Sequence, residues 1–175
     1  MKIFISFSGE KSQAVASALH DWLPKVLQAV NPWMSGENIA KGRRWNSEIS
    51  DALESTDFGI LCLTKANLSS PWMHFEAGAL AKSVSDSYIW TFLADVEPAD
   101  VADPLGQFQH TVAVEEDIYK LLSTINKVIK EMEGPNLSDE QLRETFSIWW
   151  PKLESQLKEL PEEDDIEIDR PDRDI

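Results

Sequence analysis

The chain has 175 residues and a mass of 19.8 kDa, enough for one domain that needs neither disulfide nor metal to hold it together. Its 42% apolar and 27% charged content is globular, and a single cysteine, Cys62, excludes an internal disulfide and fits a reducing compartment. Sixteen basic against 31 acidic residues give a net charge of −15, which excludes the electrostatic footprint of a non-specific DNA or RNA binder.

In chain order, KIFISF (residues 2–7) is β-branched and aromatic and reads as a buried strand stopped by Ser8 and Gly9. Val15, Leu19, Trp22, Leu23, Val26, Leu27 and Val30 then recur at helical spacing, with a kink or restart expected at Pro24. A short strand around residues 32–34 leads into a polar loop from Ser35 to Arg44 (SGENIAKGRR), and Trp45, Ile49, Ala52 and Leu53 mark a second helix. FGILCL (58–63) is apolar without alternation, the pattern of a strand covered on both faces, which makes Cys62 a small core residue. Ser70 and Pro71 open a third helix as N-cap and first helical residue. YIWTFL (88–93) is the next central strand and residues 111–114 an edge strand. Ile118, Leu121, Leu122, Ile125, Val128, Ile129 and Met132 then build a further amphipathic helix. Alternating strands and helices imply an α/β fold with a parallel sheet and helices on both faces.

The expected division is residues 1–133, a C-terminal helical extension at 134–160, and an acidic flexible tail at 161–175. Ser138 and Gln141 form a capping-box signature for the extension, and Pro151 is expected to interrupt its helix. The stripe containing Trp149 and Trp150 either packs back on the domain or meets another chain. The tail carries eight Asp/Glu and two Arg, net −6, and reads as solvated.

No GxGxxG, no P-loop and no Gly-x-Ser-x-Gly elbow is present, and His20, His74 and His110 lie far apart, so no metal site is suggested. No run approaches the roughly 18–20 apolar residues of a membrane span, and MKIFISFSGEKS lacks a signal h-region. The expectation is a soluble, cytoplasmic protein with no nucleic-acid or membrane partner. The informative stretch is SPWMHFEAGAL (70–80), where Trp72 and Glu76 share a helix face at a spacing of four. The capping-box position is Met73, so Glu76 is not a cap. It is either the solvated edge of a buried helix or a functional carboxylate in an apolar setting.

KIFISFS, SGENIAKGRRW, FGILCLT and SPWMHFEAGAL, in this order, resemble a bacterial TIR domain (Toll/interleukin-1 receptor homology) of the NAD-cleaving branch, over roughly residues 1–132. The resemblance implies a flavodoxin-like three-layer fold, with the loop from Ser35 to Arg44 corresponding to the BB loop. It implies catalysis by Glu76, on the helix after the third strand. NAD⁺ enters as substrate, and no cofactor is implied. Nicotinamide is a cationic leaving group that departs neutral without a general acid. A fixed carboxylate suits the positive charge that develops on the ribose. Around Glu76, Trp72 would give an apolar wall, Phe7 would flank the nicotinamide ring, and Ser8 and Gly9 would leave the mouth open. Glu37 falls where relatives place a ribose-contacting glutamate. Lys41, Arg43 and Arg44 are the dense basic cluster for the pyrophosphate, whereas the basic residues that some relatives carry after the first strand are here Ser8 and Gly9.

The resemblance further implies self-association through the loop from Ser35 to Arg44, where Gly36 and Gly42 permit movement. It suggests a role in anti-phage defence, the product acting on a separate effector protein. ADP-ribose and a cyclic or modified ADP-ribose are both open as products. A non-catalytic scaffold acting by TIR–TIR assembly is the reading from another class, and a nucleoside deoxyribosyltransferase-like enzyme is a minor one.

Overall fold

A computed structural model describes residues 1–36, 55–83 and 88–162, with Ser35, Gly36, Trp72, Phe75, Glu76 and Ser83 entering by their backbone alone. The described strands are β1 (Lys2–Phe7), β2 (Asn31–Gly36), β3 (Phe58–Leu63), β4 (Ile89–Leu93) and β5 (Gln109–Val112), in the spatial order β2-β1-β3-β4-β5. All four pairings are parallel. This is an α/β sheet of the flavodoxin-like order.

The described helices are α1 (Glu10–Val26), α2 (Pro71–Ser83), α3 (Glu115–Glu131) and α4 (Asp139–Lys158). Strand alternation sorts the core into two layers. Ile3, Ile5, Phe7, Phe58, Ile60, Cys62 and Phe92 face α1, α3 and α4, while Phe4, Leu61, Leu63, Ile89 and Leu93 face α2 through Met73, Ala77 and Leu80. Gly59 sets how closely α2 lies on the sheet. A Cβ there would stand 3.1 Å from Leu80 Cδ1, closer than carbon atoms normally pack.

Several expectations need correction. Helix α1 neither restarts at Pro24 nor reaches Val30: it runs through Pro24 to Val26, and Leu27 is its C-cap. Pro24 lies in the last turn, so its missing N–H costs one bond just before the helix ends. Val30 is buried ahead of β2 without being helical. The edge strand sits two residues earlier than expected. β2 includes Ser35 and Gly36, which were expected in the loop. The second helix expected around Trp45 lies outside the described residues.

Pro151 does not interrupt α4. The helix is continuous across it, because Leu142, Phe146, Trp150 and Leu153 are drawn into the core on both sides of the proline. Phe146 meets Trp22 edge-on at 5.9 Å and Tyr119 at 5.2 Å, and it stacks on Trp150 at 5.7 Å. The Trp22 indole donates to the Trp149 carbonyl at 2.8 Å. Where the chain turns from α3 to α4, Asn126 takes both backbone groups of Leu137, each at 2.8 Å. Both bonds of the capping box between Ser138 and Gln141 are made. The tryptophan stripe therefore packs on its own domain, and Ile148, 70% exposed, is the apolar residue of α4 left outside. No helix among the described residues is long and apolar enough to cross a membrane.

Candidate functional site

In such a sheet the ligand crevice opens beyond the carboxyl ends of the strands, where the strand order reverses. Here that point lies between β1 and β3. From β1 the chain returns through α1 to β2 on one side, and from β3 it leaves through α2 towards β4 on the other. Three sequence-predicted residues, Phe7, Ser8 and Gly9, form the end of β1 and its turn. Phe7 pairs with Gly36, the last described residue before the expected BB loop. It is 6% exposed and belongs to the core layer under α1.

Ser8 does not leave an open mouth. It is 3% exposed, and each of its polar groups is engaged. Its N–H donates to Ser12 Oγ at 3.1 Å, its carbonyl accepts from Asn67 Nδ2 at 3.0 Å, and its hydroxyl meets the Ser70 hydroxyl at 3.1 Å. Gly9 follows at φ 91°, ψ 167°, a backbone conformation that glycine adopts without strain. Ser12 in turn donates to the Cys62 carbonyl at 2.7 Å.

Helix α2 begins as expected at Pro71, with the Ser70 carbonyl accepting from His74 N–H at 3.2 Å. It carries Trp72 and Glu76 in the row beside its buried stripe of Met73, Ala77 and Leu80. His74, two residues before Glu76, donates from Nε2 to the Leu68 carbonyl at 3.1 Å. The Thr64 hydroxyl, fully buried where β3 ends, has no hydrogen-bond partner among the described residues. Glu37, Lys41, Arg43 and Arg44 lie outside the described residues.

Three residues at this mouth escaped the sequence reading. Lys11, in the first turn of α1, reaches Asp95 at 3.1 Å, and Asp95 also accepts from Lys65 N–H at 2.8 Å. A cation is thus held at the sheet's carboxyl edge in an acidic chain. Ser12 and Asn67 are the other two. The signal for Lys11 was its position within the first turn after β1; for Ser12 and Asn67 no local pattern exists.

Cys62 stays out of the chemistry. It is fully buried, and desolvation pushes its thiol well above the usual range. The native protein should resist iodoacetamide at mildly alkaline pH and react only once denatured; rapid labelling of folded protein would contradict the assignment. Among the described residues no group of three or more His, Cys, Asp or Glu is placed to hold a metal ion.

A family model described as "TIR domain" matches residues 3–122. Among solved structures, the TIR domains of the activated Roq1 resistosome directly recognizing the pathogen effector XopQ are similar at 17% sequence identity and TM-score 0.47. The match covers 91% of this chain and 99% of that one. No curated protein matches.

Proposed function

This chain belongs to the TIR domain family, and from that premise we propose that it cleaves NAD⁺ at the nicotinamide–ribose bond, with Glu76 as the catalytic carboxylate. The observation that supports this reading is the placement of the helix bearing Glu76. α2 starts at the β1/β3 switch point, and the hydroxyl of Ser70, the residue just before it, meets that of Ser8.

When the C1′–N bond breaks, its electron pair stays with nicotinamide, which leaves neutral. Positive charge develops on the ribosyl group, and an ionised Glu76 opposes that charge while accepting hydrogen bonds from ribose hydroxyls. Water then adds at C1′ and loses a proton, giving ADP-ribose, or an internal nucleophile adds and gives a cyclic form. Trp72 supplies an apolar wall, the backbone of the turn at Ser8 and Gly9 borders the nicotinamide side, with Phe7 as core beneath it, and Glu37 contacts ribose. Lys41, Arg43 and Arg44 hold the pyrophosphate. Packing of the loop from Ser35 to Arg44 against a second copy completes the site, and the product serves as a signal to a separate effector in antiviral defence.

Incubation of the purified protein with NAD⁺, followed by mass spectrometry, tests the reading. Free nicotinamide supports it, and the co-product mass separates hydrolysis from cyclisation. No nicotinamide from an assembled protein would favour the scaffold. Replacing Arg43 and Arg44 together with Ala should raise KM for NAD⁺ by about tenfold or more, with a smaller fall in kcat, as expected for uniform binding of the phosphates. An unchanged KM would assign the two arginines to solvated surface.

A further inference from the structure

Asn67 lies in the turn between β3 and α2, has no part in the reading above, and is 2% exposed. Its carboxamide makes three bonds, all to backbone. Oδ1 accepts from Thr64 N–H at 2.8 Å, and Nδ2 donates to the Ser8 carbonyl at 3.0 Å and the Cys62 carbonyl at 2.9 Å. Its own carbonyl accepts from Ser70 N–H at 2.9 Å, immediately before α2 begins. The side chain thus ties the end of β1 to the end of β3, and the backbone of the same residue holds the entry to the helix that carries Glu76.

Both Nδ2 hydrogens and one Oδ1 lone pair are in use, a demand few residue types can meet. Aspartate would keep the acceptor but set a negative charge against two carbonyl oxygens. Alanine would leave Thr64 N–H and the Ser8 carbonyl without these partners in a dry setting. Ser12 reinforces the same joint, accepting from Ser8 N–H and donating to the Cys62 carbonyl.

We propose that Asn67 is the positioning residue of the site: it holds the first turn of α2 in register with the turn at Ser8 and Gly9, and through that backbone contact sets where Glu76 stands relative to bound substrate. The catalytic part rests on the reading of Glu76 above. Asn67 touches no reacting atom. Its effect arises because a displacement of about 1 Å at a catalytic group costs on the order of 10²-fold in rate.

The protein contains its own control. Asn126 is also a buried asparagine, 6% exposed, bonded through both ends of its carboxamide to one backbone unit, that of Leu137, at the α3–α4 turn. Full-length Asn67→Ala and Asn126→Ala are compared with wild type well below the lower melting temperature. Melting, nicotinamide release and amide hydrogen exchange are followed.

Both variants should melt earlier. Asn67→Ala alone should lose kcat by about tenfold or more with KM within about threefold of wild type, and it alone should lose protection at residues 8–12 and 64–74. Ser12→Ala, the milder lesion at the same joint, should shift kcat in the same direction and serves if Asn67→Ala does not fold. Equal losses of kcat in the Asn67 and Asn126 variants, or unchanged protection at residues 8–12 and 64–74 in folded Asn67→Ala, would overturn the proposal. If wild type releases no nicotinamide, the reading of Glu76 fails by itself, and the exchange pattern still decides whether Asn67 holds this joint.

Discussion

A chain ending at Gly134 should not give a cooperative thermal transition, although every residue matched by the family model would be present. Helix α4 places Leu142, Phe146, Trp150 and Leu153 in the layer that also holds Trp22 and Ile118. Fully burying a large apolar side chain is worth about 1.5–3 kcal/mol, so losing α4 removes stability comparable to the roughly 5–15 kcal/mol of a whole domain. The cut also bares the partners of those side chains on α1 and α3, and it leaves the Trp22 indole without the Trp149 carbonyl. Far-UV circular dichroism during heating checks this. A sharp transition near that of the full chain would mean α4 is a dispensable appendage.

Glu76→Gln should lower nicotinamide release by at least about 10²-fold while the melting temperature stays close to wild type. The amide keeps the size of the carboxylate and one accepting oxygen, so the main change is loss of the charge opposed to the ribosyl cation. Because the charge acts only as the C1′–N bond breaks, the loss should appear in kcat rather than KM. Turnover near wild type in folded Gln variant, under conditions where wild type is active, would remove Glu76 from the chemistry.

Both of these expectations rest on parts of the molecule that differ in how openly the sequence declares them. β1 and β3 were legible to the residue: β1 from its β-branched and aromatic residues stopped at Ser8, and β3 because an unbroken apolar run ending at Thr64 reads as a covered parallel strand. The start of α2 was equally plain from Ser70 and Pro71. Proline misled twice. Its local penalty at Pro24 falls where the helix is ending anyway, and at Pro151 burial on both sides of the ring outweighs it. Asn67 and Ser12 were illegible for another reason. Asn67 bonds a carbonyl 59 residues away and Ser12 one 50 residues away, and in one dimension each is an ordinary polar residue of a turn or first helical turn. The catalytic role expected of Glu76 came from the resemblance to TIR domains; the residues themselves offered a lone carboxylate in an apolar setting, which a solvated helix edge would also explain.

Nicotinamide formation by the purified wild-type chain, measured against protein concentration over about a hundredfold range with light scattering in parallel, tests the central claim most directly. With a net charge of −15 the chain repels its own copies. Release per protein molecule should therefore be low in the dilute monomer and rise with concentration and salt as the loop from Ser35 to Arg44 finds a neighbouring copy. Intact NAD⁺ at every concentration, including those where light scattering shows assembly, would contradict it.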